Sequence, residues 1–476
     1  MMTWKKLDTL IPVFTIPLIA ILSVGRAEEA VDIGRGWELL LDEHLIDRMK
    51  GQIELRLHHP QAQEIVLVHD KPWEGNTCGY NTVFRDGDLC RMYYRGWGHN
   101  DARNKQLHPA VVCYAESHDG INWKKPSLGL VEFNGSKDNN IILGEFGTHN
   151  FTPFKDANPD CPAEALYKAV ARGEGPDNRK LFAFQSPDAI HWSLMQPEPI
   201  VTQGAFDSQN LAFWDSLRSE YRCYFRDFRD GRRDIKTATS NDFIRWTQPV
   251  WLDYGDAPKE HLYTNQIHPY YRAPHVFIGF PTRYIPDRGS LTEGLFMSSR
   301  DGKTFRRWGE ALLRPGLNKD KWYNRSNYIW LGMVETKSDL PGGGREISIY
   351  SNESYYKGRG ARTRRYTFRI DGFVSLHAKL QGGEAITKPL VFQGDRLVVN
   401  LSTSAAGSLA VELCDRDGRP IEGFSAADCP EIYGDEIERT VRWNGRDAGG
   451  LAGKPVRLRF ILRDADLFAF GFRAGR

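Results

Sequence analysis

The chain has 476 residues, 41% of them hydrophobic, and sets 63 Lys and Arg against 61 Asp and Glu. So even a charge excludes a broad nucleic-acid surface, which needs a basic excess to displace counterions, and the length points to two domains. Trp 13, Tyr 19 and Phe 25, with Gly 45 and Pro 25, fit short strands joined by many turns, that is, an all-β chain.

Residues 1–27 read as an export signal. Lys5 and Lys6 give the positive start, Leu10–Val24 is uncharged, and Gly25-Arg26-Ala27 offers small residues at a cleavage site. Fifteen residues interrupted by Pro12 and Pro17 fall short of the roughly 20 that span a bilayer. The expectation is a secreted or periplasmic protein with no stable membrane insertion after cleavage. Cleavage would remove Lys5, Lys6, Arg26 and Asp8 and leave the chain neutral. None of the seven cysteines forms a Cys-x-x-Cys pair, so no metal is expected, and nothing calls for a cofactor. Cys414 and Cys429 are close enough in sequence to bridge.

A repeat organises the next 330 or so residues. Ser117-His-Asp-Gly-Ile-Asn-Trp123 returns as Ser186-Pro-Asp-Ala-Ile-His-Trp192, Ser240-Asn-Asp-Phe-Ile-Arg-Trp246 and Ser299-Arg-Asp-Gly-Lys-Thr-Phe305, with Ser351-Asn-Glu353 as a degenerate fifth copy. The serines stand 69, 54, 59 and 52 residues apart, the interval of propeller blades. Each copy reads as a hairpin in which Asp caps a tight turn and Trp packs back. Upstream, Asn81, Asn150, Asn210, Asn265 and Asn327 open strands 36, 36, 30, 34 and 24 residues before those serines. That leaves room for three strands. After about residue 372 the motif stops, and apolar strands such as Ser408–Leu413 and Val456–Leu462 alternate with Gly/Asp turns. The predicted fold is a five-bladed β-propeller over residues 28–372 followed by a C-terminal β-sandwich over residues 373–476.

Residues before the inner strands and at the ends of the second strands should converge on one funnel. They include Glu74, Asn81 and Arg95, then His149, Asn150 and Arg172, then Asp207, Asn210, Arg226 and Asp227. Glu260, His261, Tyr263, Arg283 and Arg325 complete the set. Carboxylates, arginines, amides and aromatic faces together suit a carbohydrate. Two carboxylates in different protonation states can cleave a glycosidic bond. Glu260 is the candidate acid, Asp207 the second carboxylate with Glu74 its rival, and Asp227 a holder of a sugar hydroxyl. The arginines either tie neighbouring blades to one another or recognise a carboxylate or sulfate on an acidic sugar. Asp156, Asn158 and Asp160 read as a loop rather than a calcium site.

Several segments carry a family likeness: Leu-Leu-Leu-Asp42-Glu, Asp-Lys-Pro-Trp-Glu74-Gly, Arg-Met-Tyr-Tyr-Arg95-Gly and the tail Gly-Lys-Pro-Val456-Arg-Leu-Arg-Phe. In these the chain resembles the five-bladed propeller glycosidases of the invertase, levanase and arabinanase superfamily, and most nearly exported bacterial proteins described as glycosyl hydrolase family 32-like. The resemblance implies a propeller, a following sandwich and hydrolysis of a polysaccharide or oligosaccharide. It also implies that Arg226-Asp227 and Glu260 match the invertase stabiliser and acid. Invertases carry Asn-Asp-Pro for the nucleophile, and this sequence has none. The alternative is therefore a non-catalytic carbohydrate-binding propeller. Sialidase-like hydrolysis and elimination from a uronic acid are more distant readings.

Overall fold

The computed structural model describes residues 1–2, 29–100, 103, 105–323, 325–356 and 361–475, so all but the first two residues of the export-signal reading lie outside the described residues. Among the described residues, helical structure is confined to short 3-10 turns such as Ala163–Ala165 and Pro286–Arg288, and no helix is long and apolar enough to cross a membrane. Everything else that is regular is strand.

Five four-stranded antiparallel sheets come first. The first is Gly79–Asp86, Leu89–Asn100, Lys105–Ser117 and Ile141–Leu143, and the second Thr152–Lys155, Tyr167–Arg172, Leu181–Ser186 and Ser193–Leu194. The third is Leu211–Asp215, Glu220–Arg229, Arg232–Ser240 and Val250–Trp251. The fourth, His268–Tyr270, Ala273–Gly279, Met297–Ser299 and Arg306–Arg307, continues into a small sheet of His261–Leu262, Thr282–Ile285 and Leu291–Gly294. The fifth takes Val334–Lys337, Arg345–Glu353 and Ala361–Arg369 from late in the chain, and its fourth strand is Gln61–His69 from near the beginning.

Each sheet shares an apolar core with both neighbours, so the order is cyclic. Tyr93 and Tyr114 of the first meet Phe182 and Phe184 of the second; Leu181 and Ala183 meet Cys223 and Phe225; Tyr224 and Ile235 meet Phe277 and Met297. Ile278 and Phe296 then meet Ile347 and Phe368, and Tyr350 with Ala361 returns to Met92 and Tyr94 of the first. Burying both faces of every sheet in this way supplies most of the driving force. The first strands line an axial cavity of about 440 Å³ whose wall includes Val83, Phe154, Phe213, Pro269 and Met333.

The four full Ser-x-Asp copies behave as their chemistry predicts. Ser117 Oγ accepts from the Gly120 amide at 2.9 Å, Asp119 Oδ1 accepts from the Ile121 and Asn122 amides at 2.8 and 2.7 Å, and Trp123 Nε1 donates to the Gly120 carbonyl at 3.0 Å. The third residue after each serine must take a left-handed φ: Gly120 (+75°), Ala189 (+70°), Phe243 (+67°) and Gly302 (+73°). The degenerate copy is different. Ser351 sits inside the second strand of the fifth sheet, not in a hairpin, because there the fourth strand comes from Gln61–His69 and no such turn is made.

Six of the remaining strands form one large sheet in the order Ile46–Leu57, Val374–Thr387, Arg457–Arg473, Arg396–Cys414, Asp435–Thr440, with Trp37–Leu39 also on Arg457–Arg473, and Val31–Gly34 pairs in parallel with Leu390–Phe392. Register shifts fall at Ala378/Gly383 and Thr403/Ser408, and residues on either side of them (Leu376 and Ala385, Leu401 and Leu409) enter one core around Trp443 and Phe460. Residues 31–57, grouped by the sequence with the repeats, thus pair with the later strands. Cys414 and Cys429 are both unpaired; Cys429 Sγ accepts from the Val411 amide instead.

Candidate active site

The segments entering the first strands meet at one end of the axis, where the backbone is held in an unusual state. Tyr80, Gln266, Arg325 and Asn327 all take positive φ, between +50° and +67°, a conformation that costs a non-glycine residue about 1–2 kcal/mol and clusters where geometry serves function. Beneath this rim two fully buried glutamines close the axis. Gln209 Nε2 donates to the Tyr80 and Asn81 carbonyls at 3.2 and 3.1 Å, while Gln266 Nε2 donates to Gln209 Oε1 at 2.7 Å and to the Ile329 carbonyl at 3.1 Å. This layer separates the end basin from the axial cavity.

Asp207 opens into the basin, with 52% of its side chain exposed. Its Oδ1 accepts from His149 Nε2 at 2.8 Å and lies 3.8 Å from Arg172 Nη1. Burial of part of the group would raise its pKa, but the His149 hydrogen bond and the charges of Arg172 and Arg226 hold it far below the usual carboxylate range. Burial and the neighbouring Arg95 push His149 down to about 4, so a neutral imidazole donates to Asp207 and presents Nδ1 to Arg95 Nη1 at 3.4 Å. Arg95 is wedged over the rings of Tyr80 and Trp97, 4.8 and 5.0 Å from their centroids, and donates to Tyr355 Oη. Tyr263 and Tyr328 stand 5.6 Å apart beside it, and Arg325 donates to Tyr356 Oη.

A second acid belongs to this corner and has no place among the sequence candidates. Glu174 follows Arg172 by two residues, and Thr148 Oγ1 lies 3.5 Å from its Oε1. Burial raises its pKa, with the Arg172 charge opposing. The available signal was the tripeptide Arg172-Gly-Glu174 at a second-strand end. Arg233 was also missed: its guanidinium stacks on Tyr284, Tyr263 and Phe228 at 4.4, 5.2 and 5.4 Å.

Three predicted carboxylates are each neutralised by partners of their own. Glu74 has no exposed surface; it is bound by Lys125 at 2.7 Å and by Tyr94 Oη at 2.7 Å, and the Lys71 amide donates to it as well. Glu260 is held by Arg283 at 3.0 Å and, at 2.7 Å, by Arg307 of the outermost strand of the fourth sheet. Asp227 points to the opposite face from Arg226 and pairs with Lys236 at 2.7 Å, as strand alternation requires.

The asparagines are also tied into the framework. Asn150 Nδ2 donates to the Phe206 and Ser208 carbonyls and its Oδ1 accepts from the Arg172 amide. Asn210 donates to the same two carbonyls at 3.0 Å, and Asn81 is completely buried. Asn150 thus ties the entry to the second sheet to the entry to the third, while Asn210 fastens its own lead-in segment, and all three side chains are buried. His261 Nδ1 accepts from the Arg233 amide at 3.2 Å, on the basin wall. Asp156 is taken by Lys168 and by Tyr221 Oη, and among the described residues no His, Cys, Asp and Glu cluster could hold a metal.

No protein-family model matches the chain. Exodeoxyribonuclease I of Buchnera aphidicola is 34% identical over 97 residues, which span 17% of this chain and 23% of that protein, under a quarter of the relative's length. Solved structures similar to this chain include one from the GH130 family of mannoside phosphorylases, described as containing glycoside hydrolases that target β-1,2 mannosidic linkages in Candida mannan (16% identity, TM-score 0.44, covering 69% of this chain and 96% of that one). A glycosyl hydrolase from Bacteroides ovatus (14%, 0.44, 65% and 94%) and the catalytic domain of the Coprinopsis cinerea GH62 α-L-arabinofuranosidase (9%, 0.42, 65% and 97%) are also similar.

Proposed function

We propose that the protein is an exported glycoside hydrolase built on a five-bladed β-propeller with a C-terminal β-sandwich, and that Asp207 and Glu174 carry its chemistry. One observation carries the reading: Arg172 lies 3.8 Å from Asp207 and its charge also acts on Glu174, while the surroundings of the two carboxyl groups push their pKa values in opposite directions. Asp207 then stays ionised and Glu174 retains a proton to higher pH, the division of labour that cleavage of a glycosidic bond needs. His149 orients the Asp207 carboxylate, and the exposed Phe228 beside it offers a ring face to a sugar's C–H surface. Glu74, Glu260 and Asp227, neutralised by their own partners, have structural roles in this reading.

The test is release of reducing sugar from a glycan panel. Asp207→Asn should lower kcat about a hundredfold or more, and Glu174→Gln should remove the alkaline limb of the pH–rate profile, since it deletes the group that must stay protonated. Full activity in both variants would overturn the assignment. The second reading is a carbohydrate-binding module without turnover, favoured by the excess of arginines over free carboxylates in the basin; binding on a glycan array with no product after long incubation would establish it.

A further inference from the structure

One side of the basin carries a charge imbalance that the protein itself leaves uncorrected. A recess of about 330 Å³ beside Asp207 is lined by Arg172, Arg179, Arg226 and Arg233, with Asp207 its one acid. Arg226 is only 4% exposed. It uses Nε on the Ala205 carbonyl at 3.0 Å, and its terminal nitrogens make no hydrogen bond among the described residues. No carboxylate lies within ion-pairing distance of Arg226 or Arg233 among the described residues, while both guanidinia pack against the Phe228 and Tyr263 rings. Both guanidinium-bearing side chains line the recess beside the Phe228 ring. Two like charges set side by side, one of them desolvated, are costly unless an anion completes them.

We propose that this recess seats an oxyanion carried by the sugar, a carboxylate or a sulfate, making the substrate an acidic glycan. The inference rests on the glycosidase reading for the sugar but not for the anion. A planar guanidinium edge matches a two-oxygen acceptor, and the aromatic faces alongside would cover the ring that carries it. Arg226 and Arg233 form the inner wall, Arg172 bridges to Asp207, and the exposed Arg179 stands at the entrance.

Calorimetric titration with an oligogalacturonate, a sulfated oligosaccharide, and the methyl-esterified or desulfated form of each tests this. The charged member of one pair should bind at least about tenfold more tightly than its neutral twin, with affinity falling as NaCl rises from about 50 to 500 mM; which pair does so distinguishes carboxylate from sulfate. Arg226→Gln should weaken that binding about tenfold, and Arg179→Gln, at an exposed position that cannot upset folding, by a smaller factor. Tight, salt-sensitive binding without cleavage supports the anion site and sinks only the hydrolase reading. Equal affinity for charged and neutral twins, no affinity for either charged oligomer, or wild-type binding in both arginine variants overturns the anion site, and cleavage of a neutral glycan would then leave the hydrolase reading standing.

Discussion

Glu74 shows how a residue in a promising sequence context becomes a structural ion. Pro-Trp-Glu-Gly sits where the funnel's first carboxylate is expected, yet the side chain turns inward between the first and fifth sheets, where Lys125, Tyr94 and the nearby His69 surround it. Burial opposes its ionisation, but His69 and Lys125 outweigh that and bring its pKa down to about 2. A folded pKa below the unfolded one contributes stability that is present above the unfolded value, near 4.5, and is lost as pH falls through the folded value. Urea midpoints should therefore drop between about pH 5 and pH 2, and Glu74→Gln should flatten that slope. At neutral pH the same variant should lose about 1–3 kcal/mol, the cost of weakening charge-assisted hydrogen bonds at a buried carboxylate, since Lys125 keeps Asp70 at 3.3 Å and the Val68 carbonyl at 2.7 Å, while a refolded fraction keeps its sugar-binding affinity. The sequence placed His149, Asp207 and Arg172 near the axis because each stands at a strand boundary. It did not reveal Glu74's burial or Glu260's two arginine partners, since those depend on which way a loop turns and on partners on other strands.

At the level of strands and turns the repeat was legible because its chemistry is local. A serine, an aspartate two residues on and a residue able to adopt left-handed φ specify a hairpin with little tertiary help. Gly120→Ala tests this: the added Cβ would keep a φ of +75° and meet Thr336 Cγ2 at 3.0 Å, so thermal and urea unfolding should show a loss of about 1–2 kcal/mol. A melting temperature unchanged from wild type would refute it. The fifth sheet was legible only in part. Its three late strands follow the repeat, but Gln61–His69 pairs with Ala361–Arg369 across nearly the whole chain, and no local pattern announces a partner so distant. The same holds for Ile46–Leu57, which the large C-terminal sheet claims.

Across the whole molecule the two ends of the axis have been given different characters. Gln209 and Gln266 divide a charged, aromatic basin from an apolar cavity. Replacing Gln209 with Leu would strand the Tyr80 carbonyl, which accepts from its amide, and remove the acceptor of Gln266 Nε2; the expected outcome is weaker sugar binding together with a lower melting temperature, because Tyr80 belongs to the basin rim. The closure by Gln61–His69 and the pairing of Trp37–Leu39 with Arg457–Arg473 have a further effect. As the polypeptide leaves the ribosome, its earliest strands must wait for the last ones to be synthesised before either can be clasped. Neither the ring nor the terminal sheet can lock while translation is under way, so both close only once the last strands have been made.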